Sequence, residues 1–263
     1  MSCVNIRGCC IGEGRPKVII PIVEPTETAV LEKAAEFSTL RADCVEWRID
    51  CFEGAKDFPA IVHCAAKLRV ALKDQLLLFT FRTKSEGGKV ALAHKEYLHF
   101  IRTVFATDCA DLIDIEFFTA GAELPALIEE AHTAGAAVVC SSHDFHKTPP
   151  RAELVSRMVA MQQAGADLPK LAVMPQSRTD VLELLAATAE MADRHPETPI
   201  IIAWFEIKPF VVKGNNLIYS PHFYKPDDYT AQSVRQYRLN WRYPGFIQGI
   251  YWDKEQLRNA MRE

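Results

Sequence analysis

The sequence has no apolar run near the ~20 residues of a membrane-spanning helix, so a membrane protein is not predicted. Neither charge sign dominates: 30 Lys and Arg face 34 Asp and Glu, which offers no basic surface for nucleic acid. No CxxC pair occurs, which argues against a structural zinc site. The N-terminus lacks the apolar core of a secretory signal, so we expect a cytoplasmic protein whose eight cysteines stay reduced. A small-molecule partner is therefore favoured.

The composition is typical of a soluble enzyme. Of 263 residues, 49% are hydrophobic and 24% charged, enough for one large domain over residues 1–263. Up to residue 205, short β-branched runs alternate with amphipathic stretches, a pattern typical of parallel strands joined by crossover helices. The predicted strands are 17–23, 43–50, 76–83, 112–118, 136–144, 170–175 and 199–205. The predicted helices are 27–40, 58–72, 91–106, 123–134, 149–164 and 178–193.

This pattern predicts an α/β protein with a (β/α)8 (TIM) barrel. Seven strands precede residue 206. A doubly wound nucleotide-binding sheet requires a glycine-rich phosphate loop after its first strand, and this sequence has none there. The eighth strand has to come from 217–220 or 246–252, and 253–263 is predicted to be a final helix. In such barrels the chemistry lies at the carboxyl ends of the strands, so polar residues there are site candidates.

The composition changes in the last part of the chain. Six of seven tyrosines, three of four tryptophans and four of five asparagines lie beyond residue 200, whereas alanine becomes rare. Residues 206–263 therefore form an atypical C-terminal segment with a different origin or a different role.

Charged residues occur on one face of the second and third strands. Glu46, Arg48 and Asp50 share a face of the second strand, and Thr80 and Arg82 share a face of the third. The opposite faces carry apolar residues suited to a helix layer, so the charged faces are predicted to point into the barrel. There the charges have to pair with each other, as a structural network, or with a polar ligand. By itself Glu86, which follows in a loop, is an ordinary surface acid.

Two further residues could react with a substrate. His143 ends the fifth strand, where an imidazole suits a general base, although a purely structural histidine is an alternative. His146 completes an HxxH spacing without an evident third ligand, so no metal is predicted. Lys170 begins the sixth strand and either reaches solvent or points inward, where burial and cationic neighbours lower the pKa of its amine and make it a Schiff-base nucleophile.

Several strings resemble the type I 3-dehydroquinate dehydratases of the shikimate pathway, over about residues 1–205. They are IRGCCIGEGRPKVIIPI, DCVEWRID, LLLFTFRTKSEGG, DLIDIEFF, VVCSSHDFHKTP and PKLAVMPQSRTDVLELLAAT. The resemblance implies a (β/α)8 barrel, a homodimer, no metal or cofactor, and an N-terminal β-hairpin over residues 3–13 that closes the bottom of the barrel.

The resemblance also implies roles for individual residues. Lys170 forms an imine with the ketone of 3-dehydroquinate, and His143 removes the adjacent proton and returns it to the departing hydroxyl. Glu86 pairs with His143 and orients it. The substrate hydroxyls are bound by Glu46, Arg48 and Arg82.

The segment 206–263 departs from the family, because its strings do not match the family's substrate-carboxylate arginine or its closing loop. Two other functions therefore stay open. One is a class I aldolase-like barrel that uses the same lysine on another keto compound. The other is a non-catalytic barrel whose aromatic-rich C-terminal segment binds a partner.

Overall fold

The computed structural model describes residues 3–13, 17–39, 42–204 and 246–248. The strands are β1 (Val4–Ile6), β2 (Cys9–Ile11), β3 (Lys17–Ile22), β4 (Cys44–Arg48), β5 (Leu76–Thr80), β6 (Leu112–Glu116), β7 (Ala137–Asp144), β8 (Leu168–Val173), β9 (Ile201–Trp204) and β10 (Phe246–Gln248). The helices are α1 (Glu27–Phe37), α2 (Phe58–Leu72), α3 (His94–Phe105), α4 (Phe117–Ala120), α5 (Leu124–Thr133), α6 (Arg151–Gln163) and α7 (Arg178–Arg194). Single 3-10 turns follow β4 at Ile49–Cys51 and β5 at Lys84–Glu86.

Eight parallel strands close a barrel in the order β10-β3-β4-β5-β6-β7-β8-β9, which confirms the predicted fold. The eighth strand comes from the second of the two candidate segments: Phe246 pairs with Ile201 of β9 and with Lys17 of β3. The other candidate, 217–220, and the predicted final helix, 253–263, lie outside the described residues. A single domain over 1–263 stays a prediction for the same reason.

Side-chain alternation divides each strand between two environments. One set of residues, which includes Trp47 and Phe79, is fully buried under the helices. The other set points into the barrel, and at the amino ends of the strands it forms a small apolar cluster that includes Cys44, Leu78 and Leu168. The hairpin β1–β2 covers this cluster with Ile11, which is 1% exposed. The hairpin predicted over residues 3–13 therefore does close the bottom of the barrel.

The bounds of several elements differ from the predicted ones. The strand predicted to reach residue 118 ends at Glu116, because the next residues turn into the short helix α4. The strand predicted to begin at Lys170 begins two residues earlier, so that the lysine lies inside β8. The capping box of α7 is present, with Ser177 accepting from the amide of Asp180 and the Asp180 side chain bonding back.

The cysteine prediction is wrong for one pair. Cys3 and Cys10 form a disulfide, because the hairpin brings their Cα atoms to 5.8 Å, a separation that a disulfide spans. The other six cysteines form no disulfide, and of the four that lie in apolar runs of the sequence Cys44, Cys64 and Cys140 are buried, whereas Cys109 is only half-buried. Among the described helices, none combines the length and apolar character needed to cross a bilayer.

Candidate active site

The inward face of the barrel changes from apolar to polar toward the carboxyl ends of the strands. On β4 the face that carries Cys44 continues with Glu46, and on β8 the face that carries Leu168 continues with Lys170. Glu46 accepts a hydrogen bond of 2.8 Å from the Thr80 hydroxyl on β5. Parallel strands thus place the inward polar side chains near their carboxyl ends in one layer above the apolar cluster.

Arg82 lies at the centre of this layer. Its Nη2 atom is 2.8 Å from Asp114 Oδ2, and its Nη1 atom donates to Glu116 at 2.9 Å and to the Ser141 hydroxyl at 3.0 Å. Glu86 Oε2 lies 3.5 Å from the same Nη1. Burial alone lowers the pKa of the Arg82 guanidinium, but the surrounding carboxylates outweigh it and raise the pKa further above its ordinary value. The guanidinium is therefore permanently charged and fixed in place.

Glu116 positions the loop that follows β5. Its carboxylate accepts from the amide and hydroxyl of Thr83, at 2.8 and 2.7 Å, and from the Thr119 hydroxyl at 2.6 Å. The Glu116 amide donates to the Tyr97 hydroxyl at 2.8 Å. Because this loop carries Glu86, the network fixes Glu86 over the barrel mouth instead of leaving it on the surface.

Glu86 and His143 form a buried pair, with 2.7 Å between Oε2 and Nδ1. Burial raises the pKa of the Glu86 carboxyl to about 8. Burial also lowers the pKa of the His143 imidazole well below 6.5, and the charges of Arg82 and Lys170 act in the same direction. At neutral pH the imidazole is therefore uncharged and able to accept a proton.

Gly87 allows this pair to form. Its backbone adopts φ +84°, and a Cβ atom there would lie 2.1 Å from the Phe145 ring. The Phe145 ring in turn stacks beside the His143 ring. Glycine thus permits both the turn after Glu86 and the close approach of Phe145.

Lys170 is buried, and its Nζ atom lies 3.5 Å from Asp114 Oδ2. Burial lowers the pKa of its amine; Asp114 and Glu46 oppose this change, and Arg82 and Arg48 reinforce it. The β7–β8 register pairs Lys170 with Ser141, two residues before His143 on the same face. The amine and the imidazole therefore project into the barrel from neighbouring strands.

Arg48 is also held by an acid. Its guanidinium makes a bidentate pair with Asp50, at 2.8 and 2.9 Å. Asp50 lies in the 3-10 turn after β4 and not in the strand, and it also accepts from the amides of Arg82 and Lys89. Asp50 thereby joins the loops that follow β4 and β5.

All six site residues predicted from the sequence thus lie in this one layer. The prediction missed Asp114, Glu116 and Ser141, which complete the network around Arg82. The signal for Asp114 and Glu116 was present in the string LIDIE, where the two acids alternate with isoleucine just as charged and apolar residues alternate on the second strand.

This layer combines the groups needed for imine chemistry. An amine of lowered pKa is a nucleophile toward a ketone, and a neutral imidazole beside it can remove a proton from the carbon next to the resulting imine. The fixed cations and acids around them can orient a polyhydroxylated substrate.

Comparison with known proteins gives a consistent result. The sequence profile of the type I 3-dehydroquinase family matches residues 18–204. The chain is 44% identical over 198 residues to a 3-dehydroquinate dehydratase of Bacillus licheniformis, covering 75% of this chain and 78% of that protein. The Bacillus subtilis 3-dehydroquinate dehydratase is 44% identical over 201 residues, covering 76% and 79% of the two chains.

Solved structures show the same likeness. The type I 3-dehydroquinate dehydratase of Clostridium difficile, solved with covalent modified comenic acid, matches with a TM-score of 0.76 and 39% identity over 78% of this chain and 81% of that one. The 3-dehydroquinate dehydratase of Enterococcus faecalis matches with a TM-score of 0.74 and 41% identity, over 76% and 83% of the two chains.

Proposed function

Because the chain belongs to the type I 3-dehydroquinase family, we propose that it is a lyase that dehydrates 3-dehydroquinate to 3-dehydroshikimate through an imine on Lys170. This reaction is a step of the shikimate pathway, which leads to the aromatic amino acids. The observation that supports the mechanism is the position of the buried Lys170 amine on β8, next to the strand β7 that carries His143. His143 is paired with Glu86 from the loop after β5.

The first step forms the imine. The neutral Lys170 amine attacks the ketone carbon and a C–N bond forms. The ketone oxygen takes one proton from the attacking amine and one from the medium, and it leaves as water. The product is a protonated imine, whose positive nitrogen withdraws electrons from the neighbouring C–H bond. The burial that lowers the pKa of Lys170 supports this step, because only the unprotonated amine is nucleophilic.

The second step removes water from the ring. His143 takes the proton from the carbon next to the imine, and the C–H electrons form an enamine. The enamine electrons then expel the hydroxyl group from the next carbon, and His143 returns its proton so that water leaves. General base catalysis of this kind accelerates a reaction by about 10²–10⁴-fold. Hydrolysis of the imine releases product and restores Lys170.

Glu86 positions His143 through the 2.7 Å contact between its Oε2 atom and the imidazole Nδ1. Glu46 and Arg48 are proposed to bind the ring hydroxyls. The hydrogen bond from the Thr80 hydroxyl orients the Glu46 carboxylate, and the ion pair with Asp50 orients the Arg48 guanidinium. Arg82 is proposed to contribute mainly its charge to the bound substrate, because its nitrogens already contact four protein groups.

Borohydride trapping tests the proposal. The full chain is incubated with 3-dehydroquinate and borohydride, and peptide mass spectrometry locates the adduct. We expect an adduct on Lys170 in the wild type and in the exposed-lysine control Lys147→Met, and none in Lys170→Met. A folded wild type that turns over substrate without an adduct would exclude the imine.

The alternatives have their own readouts. Dehydration produces the absorbance of a conjugated enone, whereas an aldolase releases a fragment and no enone. Calorimetric binding of 3-dehydroquinate without turnover would instead indicate a non-catalytic barrel.

We also propose that the protein is a homodimer, as the resemblance to its family implies, and that it is cytoplasmic, as expected from the sequence of its N-terminus. Sedimentation equilibrium should give twice the chain mass of 29.6 kDa. A monomer at micromolar concentration would contradict this proposal, and recovery of the protein outside the cytoplasmic fraction would contradict the location.

A further inference from the structure

Asp114 is a buried acid on β6 that contacts the reacting lysine. Its Oδ2 atom lies 3.5 Å from Lys170 Nζ and 2.8 Å from Arg82 Nη2, and its Oδ1 atom accepts from the Ser141 hydroxyl at 2.6 Å. The side chain is fully buried, with 0% of it exposed. Its position is thus set by three groups on three other elements.

Asp114 is charged in spite of its burial. Desolvation raises the pKa of its carboxyl, but Arg82, Lys170 and the Ser141 hydrogen bond outweigh desolvation and lower the pKa below its ordinary value. A carboxylate next to a nucleophilic lysine has a cost, because it favours the protonated ammonium. A carboxylate at this position therefore needs a role later in the reaction.

That role follows from the charge of the intermediate. Once the imine forms, the nitrogen of Lys170 carries a positive charge that is buried and cannot reach water. An unpaired buried cation is strongly disfavoured, so the imine would lose its proton and with it the ability to withdraw electrons. On the basis of the proposed function, we propose that Asp114 is the counter-ion that keeps the Lys170 imine protonated.

Other charges act on the same nitrogen and also influence its protonation. Around Asp114 and Lys170, the charged and titratable groups of this layer are Glu46, Arg48, Arg82, Glu86, Glu116 and His143, and Tyr97 of α3 and Cys140 of β7 also interact with Asp114. Arg82 and Arg48 disfavour a cation on Lys170, and Glu46 favours one. Asp114 differs from Glu46 in its direct ion pair with Nζ at 3.5 Å.

The test is the pH profile of imine trapping in Asp114→Asn, with Glu116→Gln as the matched control. Glu116 binds the same guanidinium as Asp114, through Nη1, but makes no ion pair with Lys170 in the described part of the chain. Rates of cyanoborohydride trapping with 3-dehydroquinate are measured on the full chain between about pH 5 and pH 10, together with kcat and KM.

The trapping rate should rise with pH where the Lys170 ammonium loses its proton and fall at higher pH where the imine loses its proton. Asp114→Asn should move both limbs of this profile to lower pH by about one to three pH units, the effect of a close opposite charge. Both limbs move together because Asp114 stabilises the ammonium of the free enzyme and the protonated imine alike. At pH values above the alkaline midpoint of the wild type, the kcat of Asp114→Asn should be lower than that of the wild type by about tenfold for each pH unit by which the midpoint moves. KM should change less. Glu116→Gln should lose activity through its loop while both midpoints stay at the wild-type pH.

Three results would overturn the inference. If Asp114→Asn lowers the rate but keeps the wild-type midpoints, the acid has only a structural role. If Glu116→Gln moves the midpoints equally, the effect passes through Arg82. If the wild type forms no adduct at all, the proposed function itself fails, and the inference fails with it.

A second measurement needs no substitution, in case Asp114→Asn does not fold. The wild type is labelled with 15N at the lysine Nζ, and the imine signal is followed by NMR during incubation with 3-dehydroshikimate. We expect a protonated imine at pH 7, as a close carboxylate predicts. A neutral imine at pH 7 would refute the counter-ion.

Discussion

The Glu86 carboxyl makes the folded protein sensitive to pH in a direction that can be calculated. Its pKa is 4.5 in an ordinary setting and about 8 in the folded protein, mainly because burial disfavours the charged form. The native state holds this proton more tightly than the unfolded state does. The contribution of protonated Glu86 to the free energy of unfolding is therefore present at low pH and is lost as pH rises from about 4.5 to 8.

The size of the effect follows from the same values. At about 1.4 kcal/mol per pH unit, ionised Glu86 destabilises the fold by at most about 5 kcal/mol above pH 8. Glu86→Gln removes the ionisation, and its amide still offers His143 a donor and an acceptor, so the change of hydrogen bond costs no more than about 1 kcal/mol. The variant should therefore match the wild type or be slightly less stable near pH 5, and be more stable by several kcal/mol above pH 8.

Urea unfolding of both proteins at pH values from about 5 to 9 measures this difference. Glu130→Gln is the control, because Glu130 is an exposed acid paired with Arg102 and its pKa is lowered instead of raised. Its substitution should produce no stabilisation that grows with pH. The reasoning is refuted if the free-energy difference between Glu86→Gln and wild type is flat from pH 5 to 8, or if it falls with pH.

Two further substitutions separate the bottom of the barrel from its mouth. Ile11→Ala should lower the free energy of unfolding by about 2–5 kcal/mol, because this side chain is buried against the apolar cluster. Its kcat should stay near the wild-type value, and a large loss of kcat in the folded variant would contradict the separation of the apolar bottom from the catalytic mouth. Gly88→Ala should reduce kcat at least about tenfold, because its Cβ would lie 1.7 Å from the Arg82 carbonyl oxygen and displace the loop that carries Glu86; unchanged kinetics would show that this loop geometry is unimportant.

Much of the site was predictable because a strand has a period of two. Glu46 and Arg82 could be assigned to the inward face from the apolar residues that alternate with them. The same period of two places Asp114 on the inward face of its strand, since it alternates with Ile113 and Ile115. Glu86 is different: it lies in a loop, and only Arg82 and the Glu116 network explain why it is buried.

By itself the sequence determined the order of strands and helices, the inward face of the second and third strands, and the presence of the lysine and the histidine on neighbouring strands. These features depend on local periodicity and chain order. Only the tertiary structure decided which acids meet which cations. It brought Asp114 to Lys170, Glu86 to His143 and Cys3 to Cys10, and it selected Phe246–Gln248 as the strand that closes the barrel. Such contacts join residues far apart in the chain or across a turn, and their distances depend on how the packed barrel brings separate elements together.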